Sequence, residues 1–285
     1  MPNSAILLVS CPDRKGVVAA IAEFIFRHNG NILFNDEHGD EASNLFLTRV
    51  EFDAAAFDFD LARFSEEFAP IARDFKMDWR LAHSADRPRI AIFVSKYDHC
   101  LQDLLYRHQS GELRCEIPLI VSNHPDTQRI ADFYRVPYFV VPVTKENKRE
   151  AEQKQIALVR EHRCSLVVLA RYMQVLSNEF IAAIGSENLI NIHHSFLPAF
   201  IGSKPYHQAF QRGVKLIGAT AHYVTQVLDD GPIIEQDVVR IFHRDTIDDL
   251  VQKGRDIEKV VLSRAVRWHV ENRILLYGNK TVVFQ

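Results

Sequence analysis

Two polar side chains near residue 190 could stabilise negative charge on a reacting oxygen. The segment 189–195 reads Leu-Ile-Asn-Ile-His-His-Ser. If it forms a β-strand, Asn191 and His193 project to one side and His194 to the other. An amide and an imidazole at a strand end are suitable hydrogen-bond donors to an oxyanion. We therefore predict that Asn191 and His193 are catalytic, although polar residues there often only satisfy the backbone of a loop.

A carboxylate that could activate water lies in the segment 228–232, Leu-Asp-Asp-Gly-Pro. An aspartate before Gly-Pro is first of all typical of a turn. Because hydrolysis of an acyl group also needs a base, we predict Asp229 as the third catalytic residue. His222 lies a few residues earlier on a predicted strand. It either supports the catalytic residues or is an ordinary histidine of the core.

Chemistry that depends on a metal ion or a serine nucleophile has little support in the sequence. The chain has 13 histidines, but His-Glu-x-x-His and comparable ligand spacings are absent. The Gly-x-Ser-x-Gly motif of many hydrolases is also absent. We therefore predict neither a metal site nor a nucleophilic serine.

The residues before the catalytic segments are predicted to form a separate ferredoxin-like domain of βαββαβ order. Its predicted elements are a strand at 4–11, a helix at 17–28, strands at 31–38 and 44–52, a helix at 61–71 and a strand at 77–81. The polar segment His83–Pro88 is the predicted boundary, which gives domains at 1–84 and 88–285.

From residue 89 onward, apolar strand candidates alternate with helical segments. The predicted strands are 90–94, 117–121, 138–141, 166–169 and 189–192. This alternation predicts a Rossmann-like, mostly parallel α/β domain. Two neighbouring strands at 214–224 and 233–241 and a long helix to about residue 270 follow. In such sheets ligands bind beyond the carboxyl ends of the strands, where Asn191 and His193 lie.

Composition restricts the class of protein and its partners. Of the 285 residues, 47% are hydrophobic and 25% are charged, and the formal net charge is −3. These values are typical of a globular protein and do not favour nucleic-acid binding. Neither an export signal nor a membrane span is evident, and the four cysteines are scattered. We therefore predict a cytoplasmic protein with reduced thiols that binds neither nucleic acid nor membrane.

Three motifs in order resemble the folate-dependent formyltransferase and hydrolase family. They are Asn191-Ile-His193, the run Ser195-Phe-Leu-Pro198 and Leu228-Asp229-x-Gly231. The resemblance covers about residues 88–285. The preceding part resembles an ACT domain, an amino-acid-sensing module, with Asp13-Arg14-x-Gly16 at its first strand–helix turn.

The family resemblance implies hydrolysis of 10-formyltetrahydrofolate to formate and tetrahydrofolate, within one-carbon metabolism and purine biosynthesis, with no cofactor besides this substrate. Asp229 would activate water, and Asn191 and His193 would stabilise the oxyanion. The folate would contact Met173, Gln174, Val175, Leu176, His222 and Gly231. Without the resemblance, the segment 173–176 would be interpreted as ordinary core.

The ACT resemblance implies regulation and assembly. Asp13, Arg14, Lys15 and Gly16 would bind a small amino acid, with methionine or glycine as the suggested effectors. Backbone N–H groups at the start of a helix suit its carboxylate. Because ACT domains commonly pair across subunits, a homo-oligomer is expected.

Two other functions remain open at this stage. The first is transfer of the formyl group to an amine acceptor, such as glycinamide ribonucleotide or an initiator tRNA. Ribonucleotide-using relatives have a glycine-rich phosphate cradle after the first strand, whereas this chain reads Ser95-Lys-Tyr-Asp-His-Cys100 without glycine. The second is a non-catalytic amino-acid sensor, against which the complete set of Asn191, His193 and Asp229 argues. We therefore expect water to be the acceptor.

Overall fold

The computed structural model describes residues 4–199 and 205–285 and divides the chain into two units. The first contains the residues up to Asp86 together with Glu271–Tyr277 and Thr281–Gln285. The second contains Arg87–Val270 and Gly278–Lys280. The sequence prediction assigned all residues from 88 onward to the second domain. This assignment needs correction at the C-terminus, where most residues pack in the first unit.

Six regular elements in the order βαββαβ form the main part of the first unit. They are β1 (Ser4–Pro12), α1 (Val17–Arg27), β2 (Asn31–Asp40), β3 (Leu45–Asp53), α2 (Phe64–Phe75) and β4 (Asp78–His83). The strand order is β2-β3-β1-β4, and every neighbouring pair is antiparallel. This element order is that of a ferredoxin-like sandwich. A 3-10 turn at Leu61–Arg63 precedes α2, so the helix begins later than the apolar spacing predicted.

Phenylalanine rings dominate the core of the first unit. Phe24 of α1 contacts Phe64 and Phe68 of α2 edge-on, with ring centroids 5.4 and 5.2 Å apart. Phe52 of β3 stacks on Phe64 at 6.0 Å. Such aromatic pairs stabilise a core beyond the burial of their area. They fix both helices on one face of the sheet.

A seven-stranded sheet forms the centre of the second unit. In chain order its elements are β5 (Arg89–Val94), α3 (His99–Gln109), β6 (Glu116–Ser122), α4 (Gln128–Tyr134), β7 (Tyr138–Val140), α5 (Lys148–Glu161), β8 (Leu166–Leu169), α6 (Asn178–Ile184), β9 (Leu189–His193), α7 (Pro205–Arg212), β10 (Leu216–Tyr223), β11 (Ile233–Arg240) and α8 (Ile247–Val270). The strand order is β11-β10-β9-β8-β5-β6-β7. The five neighbouring strands β9, β8, β5, β6 and β7 are parallel to one another. β10 pairs antiparallel with β9, and β11 pairs antiparallel with β10. The predicted, mostly parallel α/β sheet is therefore confirmed.

The parallel strands determine where functional groups can meet. Because β5, β8 and β9 run in the same direction, the loops that follow them emerge at one edge of the sheet. These loops begin near residues 95, 170 and 194. The edge therefore gathers side chains from segments that are far apart in sequence.

A hairpin near the C-terminus explains why this segment belongs to the first unit. It consists of β12 (Ile274–Tyr277) and β13 (Lys280–Val283), which the sequence prediction did not include. Phe284 is buried with Ile6 and Leu8 of β1. The residues of β1 that alternate with Ile6 and Leu8 face the phenylalanine core on the other side of the strand. Both faces of β1 are thus covered, which agrees with its continuous apolar run.

Within the described ranges, no helix is long and apolar enough to cross a bilayer.

Candidate active site

Four polar side chains converge in the second unit. Nδ1 of His193 lies 3.3 Å from Oδ1 of Asp229, and Nε2 of His222 lies 3.9 Å from the same oxygen. Nδ2 of Asn191 lies 3.2 Å from Nε2 of His222. The structure thus brings together the three residues predicted as catalytic and adds His222 to them. The chemical role of each remains a prediction.

The register between β9 and β10 produces this arrangement. The two strands are antiparallel, with His222 opposite Asn191 and Thr220 opposite His193. Side chains of directly opposite residues lie on the same face of a sheet. His222 therefore lies beside the amide of Asn191, and period-two alternation places His193 on that face as well.

Asp229 occupies a strained position in the loop between β10 and β11. Its φ is 56°, in the left-handed region that non-glycine residues seldom adopt. Such strain is retained where the surrounding structure fixes the backbone. Here the backbone N–H of Tyr223 donates to the carbonyl of Pro232 at 2.9 Å, which closes the loop. The carboxylate is thereby held next to His193.

Gly231 shapes this loop and is not among the residues that line the cavity, so its predicted contact with substrate remains a prediction. A Cβ atom at this position would lie 1.7 Å from the carbonyl oxygen of Tyr223. Only glycine allows so close an approach of two backbone segments. Its contribution to the site is therefore indirect, through the position of Asp229.

The hydrogen bonds of His222 determine its tautomer. Nδ1 donates to the carbonyl oxygen of Tyr223 at 2.8 Å, so the neutral ring has no proton on Nε2. Burial lowers the pKa of His222, which outweighs the opposite effects of the Tyr223 hydrogen bond and of Asp229. Nε2 can then accept one N–H of Asn191 and fix the orientation of its amide. The second N–H of the amide remains available for a ligand.

The two ring nitrogens of His193 have different surroundings. Nδ1 contacts Oδ1 of Asp229 at 3.3 Å, whereas Nε2 is buried and has no partner among the described residues. Burial raises the pKa of the Asp229 carboxyl, but the His193 hydrogen bond and the neighbouring imidazoles outweigh it, so this pKa lies below its ordinary value. Asp229 is therefore ionised at neutral pH. Buried polar atoms are normally paired, so the free Nε2 atom points to a ligand.

These residues line a cavity of about 630 Å³, large enough for a folate-sized molecule. Met173 and Val175 line one wall with exposed side chains, and Val227 and Leu228 are exposed on the loop that carries Asp229. Gln174 also lines the cavity, while Leu176 lines it and is mostly buried in the hydrophobic core. The predicted segment 173–176 thus combines a cavity wall with core packing.

A buried hydroxyl, not singled out from the sequence, anchors this wall. Ser95 Oγ donates to Asn123 Oδ1 at 2.6 Å and accepts the backbone N–H of Met173 at 3.0 Å. The backbone N–H of Ser95 donates to the carbonyl of Arg171, whose φ of 62° is again left-handed. Ser95 therefore fixes the turn that presents Met173. Its only signal in the sequence was its position after a predicted strand.

The cavity is also lined by charged residues, of which Glu258 was not singled out from the sequence. Glu258 of α8 is buried and accepts hydrogen bonds from Tyr206 at 2.5 Å and His99 at 2.8 Å. Arg171 Nε lies 3.3 Å from the same carboxylate. Burial raises the pKa of Glu258, but its contacts with His99 and Arg171 prevail and lower it to about 2. The carboxylate is therefore ionised at neutral pH.

His99, Cys100 and Glu258 also form a group of potential metal ligands, with atoms within 4.8 Å of one another. Burial raises the pKa of the Cys100 thiol well above its ordinary value, which leaves it protonated. The Arg171 guanidinium beside Glu258 opposes a further cation. The donor set is thus poorly suited to hold a metal ion.

The predicted effector loop lies in the first unit at the start of α1. Gly16 adopts a φ of 95° and precedes a helix without a side-chain cap. Arg14 packs 3.9 Å over the ring of Phe75 and donates to the carbonyl of Asp74 at 2.8 Å. Asp13 and Lys15 are exposed. The loop therefore offers backbone donors, with the Arg14 side chain already engaged.

Comparison with known proteins assigns the chain to a family. A family model described as "Formyl transferase" matches residues 88–266. The "Formyltetrahydrofolate deformylase" of Synechocystis sp. is 54% identical over 281 residues, covering 99% of this chain and 98% of the relative. That of Bacillus subtilis is 45% identical over 279 residues, covering 98% and 93%.

Solved structures lead to the same assignment. A formyltetrahydrofolate deformylase from Pseudomonas syringae pv. tomato has a TM-score of 0.97 at 49% identity, covering 100% of this chain and 95% of that one. A phosphoribosylglycinamide formyltransferase from Anaplasma phagocytophilum has a TM-score of 0.63 at 31% identity, covering 70% and 95%. The chain therefore belongs to the formyl transferase family, and within it to the group of the formyltetrahydrofolate deformylases.

Proposed function

We propose that the chain hydrolyses 10-formyltetrahydrofolate to formate and tetrahydrofolate. The names of its relatives describe removal of a formyl group from formyltetrahydrofolate. The observation that carries the proposal is the unpartnered Nε2 atom of His193, held by Asp229 and next to the amide of Asn191. This arrangement offers two donors to one carbonyl oxygen and a carboxylate for water.

The formyl oxygen would bind between the free N–H of Asn191 and Nε2 of His193. Nε2 is a donor when the ring of His193 is an imidazolium, the form that has a proton on both nitrogens. As water attacks, negative charge develops on the formyl oxygen, and the two donors stabilise it. His222 contributes by orienting the Asn191 amide.

Asp229 would accept a proton from the attacking water. Because its pKa lies below the ordinary value, Asp229 is a weak base, and its contribution depends on positioning. The new C–O bond forms, the C–N10 bond breaks, and one proton from water is delivered to N10. The formic acid loses its remaining proton to solvent, so that formate and tetrahydrofolate are released. No step requires a metal ion or an organic cofactor.

The pterin would bind between the wall at Met173–Leu176 and the loop at Val227–Leu228. Exposed apolar side chains on both segments suit a flat heterocycle, and the Ser95 anchor limits their movement. Water is the acceptor in this proposal. The loop after β5 provides Tyr97 to the cavity where a phosphate would need close backbone approach.

Hydrolysis in water enriched in ¹⁸O tests this function directly. We expect formate to carry one labelled oxygen and to appear in equal amount with tetrahydrofolate, without an added acceptor. Failure to release formate under these conditions would contradict the proposal.

The first unit is proposed to be an ACT domain that senses methionine or glycine through Asp13–Gly16. Its βαββαβ order and the free backbone N–H groups at the start of α1 support this role. We further propose that the protein is a homo-oligomer and acts in the cytoplasm, where formate and tetrahydrofolate serve one-carbon metabolism and purine biosynthesis.

A further inference from the structure

Two arginines at the end of the cavity that contains Glu258 are not used by the proposed hydrolysis. Arg171 and Arg255 both line this end, and their guanidinium carbons lie 5.3 and 5.6 Å from the ring centroid of Tyr97. Arg255 belongs to α8, whereas Arg171 follows β8. Two cationic groups from distant segments thus approach one aromatic ring.

Arg171 is buried without the hydrogen bonds that a buried guanidinium requires. Its side chain is only 8% exposed, and Nε lies near Glu258 without hydrogen-bond geometry. Within residues 4–199 and 205–285, its guanidinium makes no hydrogen bond to the protein. Because buried polar groups are normally paired, this group is prepared for a ligand that supplies acceptors.

The charges around this end leave a positive surplus. Among the described residues that line it, Glu258 is the one carboxylate, whereas Arg171 and Arg255 supply two guanidinium groups. Arg255 has no carboxylate partner in the described part of the chain. The ligand that would complete this end is therefore an anion.

This positive end adjoins the catalytic residues. The ring of His194 lies 5.3 Å from that of His193 between centroids. Burial, and after it the charge of Arg171, lowers the pKa of His194 to about 3. A small anion formed at His193 therefore has a cationic site within a short distance, while ionised Asp229 repels it.

We infer that Arg171 and Arg255 form a carboxylate subsite that receives formate after C–N10 cleavage. The inference rests on the proposed function, which supplies the formate. The planar guanidinium of Arg171 matches the two oxygens of a carboxylate. Arg255 adds a second charge from the exposed side. The subsite draws the product away from Asp229 and leaves the catalytic residues free for the next water.

Titration of ¹³C-formate into the full-length chain with tetrahydrofolate, followed by NMR, measures this binding independently of turnover. Arg171→Lys keeps the positive charge but loses the two parallel N–H donors of the guanidinium group. We therefore expect the formate Kd to rise about tenfold. Arg255→Gln removes an exposed charge and is expected to raise it about threefold. Arg264→Gln on the same helix, where Arg264 pairs with Asp237 at 3.2 Å, is the matched control and leaves the Kd unchanged.

The terminal carboxylates of the folate tail are the other source of the same chemistry. The KM values of 10-formyltetrahydrofolate and of the tail-less 10-formyltetrahydropteroate distinguish the two sources in the same variants. If Arg255→Gln raises KM only for the substrate with a tail and leaves the formate Kd unchanged, the formate assignment is wrong. Unchanged formate binding in both Arg255→Gln and a folded Arg171→Lys also overturns it. Absence of formate release by the wild-type chain, in contrast, contradicts the proposed function.

Discussion

His193 contacts Asp229 through Nδ1 at 3.3 Å and leaves Nε2 buried without a partner among the described residues. One side of the ring is therefore held by a carboxylate, and we propose that the other side faces the reacting oxygen. If Asp229 and His193 were structural residues, the Nε2 atom of His193 would be expected to have a protein partner. The geometry instead favours a catalytic pair that is completed by substrate.

Removal of either member of this pair should abolish most of the turnover. We expect Asp229→Asn and His193→Ala each to lower kcat by about 10²–10³, the cost of losing one group that stabilises the transition state. Initial rates of formate release measure the effect, and circular dichroism and thermal unfolding establish that the fold persists. Near-normal turnover in either folded variant would show that the active-site assignment is wrong.

His222 should act through Asn191 and not on the substrate. We expect His222→Phe to lower kcat about tenfold with little change in KM, because loss of the acceptor for the amide costs about one hydrogen bond. In a double-mutant cycle with Asn191→Ala, the two losses should not add, since both remove the same oriented N–H. Fully additive losses would contradict the positioning role.

The loop glycine should be essential to the position of Asp229. A Cβ at Gly231 would lie 1.7 Å from the Tyr223 carbonyl oxygen, so the backbone must move. We expect Gly231→Ala to lower both the melting temperature and kcat. Gly213→Ala is the control, because Gly213 has a φ of 69° and no atom within 4 Å of the added Cβ. It should cost about 1 kcal/mol of stability and leave kcat unchanged. Equal kcat values for the two variants would exclude an active-site role for the loop.

Sequence patterns predicted that Asn191, His193 and Asp229 form one site, but they predicted less of what surrounds these residues. Asn191 and His193 follow from period-two alternation, and Asp229 from the motif that it forms with Gly231. The contact between Asn191 and His222 depends on the antiparallel register of β9 and β10, which local patterns do not define. Glu258 lies within a long helix, and its contacts with His99 and Arg171 form only when distant segments pack together. No local signal distinguishes such a residue from an exposed glutamate.

The packing of the C-terminal segment could likewise not be predicted from local sequence patterns. The continuous apolar run of β1 in the sequence indicates that both faces of this strand are buried. It does not indicate which residues cover the face opposite the phenylalanine core. Ile6 and Leu8 pack with Phe284, a contact across nearly the whole chain. The boundary near residue 86 could be predicted from a local polar segment, whereas the return of residues 271–285 to the first unit could not.

Amino-acid binding should be tested on the full-length chain, because residues 271–277 and 281–285 pack in the first unit and a fragment ending at 85 lacks them. We expect calorimetry to detect binding of methionine or glycine. Gly16→Ala should weaken it, since a φ of 95° is strained for alanine and displaces the backbone N–H groups at the start of α1. Gly111→Ala, with a φ of 83° and no atom within 4 Å of its added Cβ, is the matched control. Absence of binding for every amino acid would remove the sensing role.

Competition between water and an amine acceptor tests the central claim most directly. The purified chain is incubated with 10-formyltetrahydrofolate, with and without millimolar glycinamide ribonucleotide, and both formate and the formylated amine are quantified. Because residues 95–100 contain no glycine and Tyr97 lines the cavity, we predict that formate release proceeds at the same rate in both reactions and that no formylated amine accumulates. Formyl transfer to the ribonucleotide at a rate comparable with hydrolysis would contradict the account.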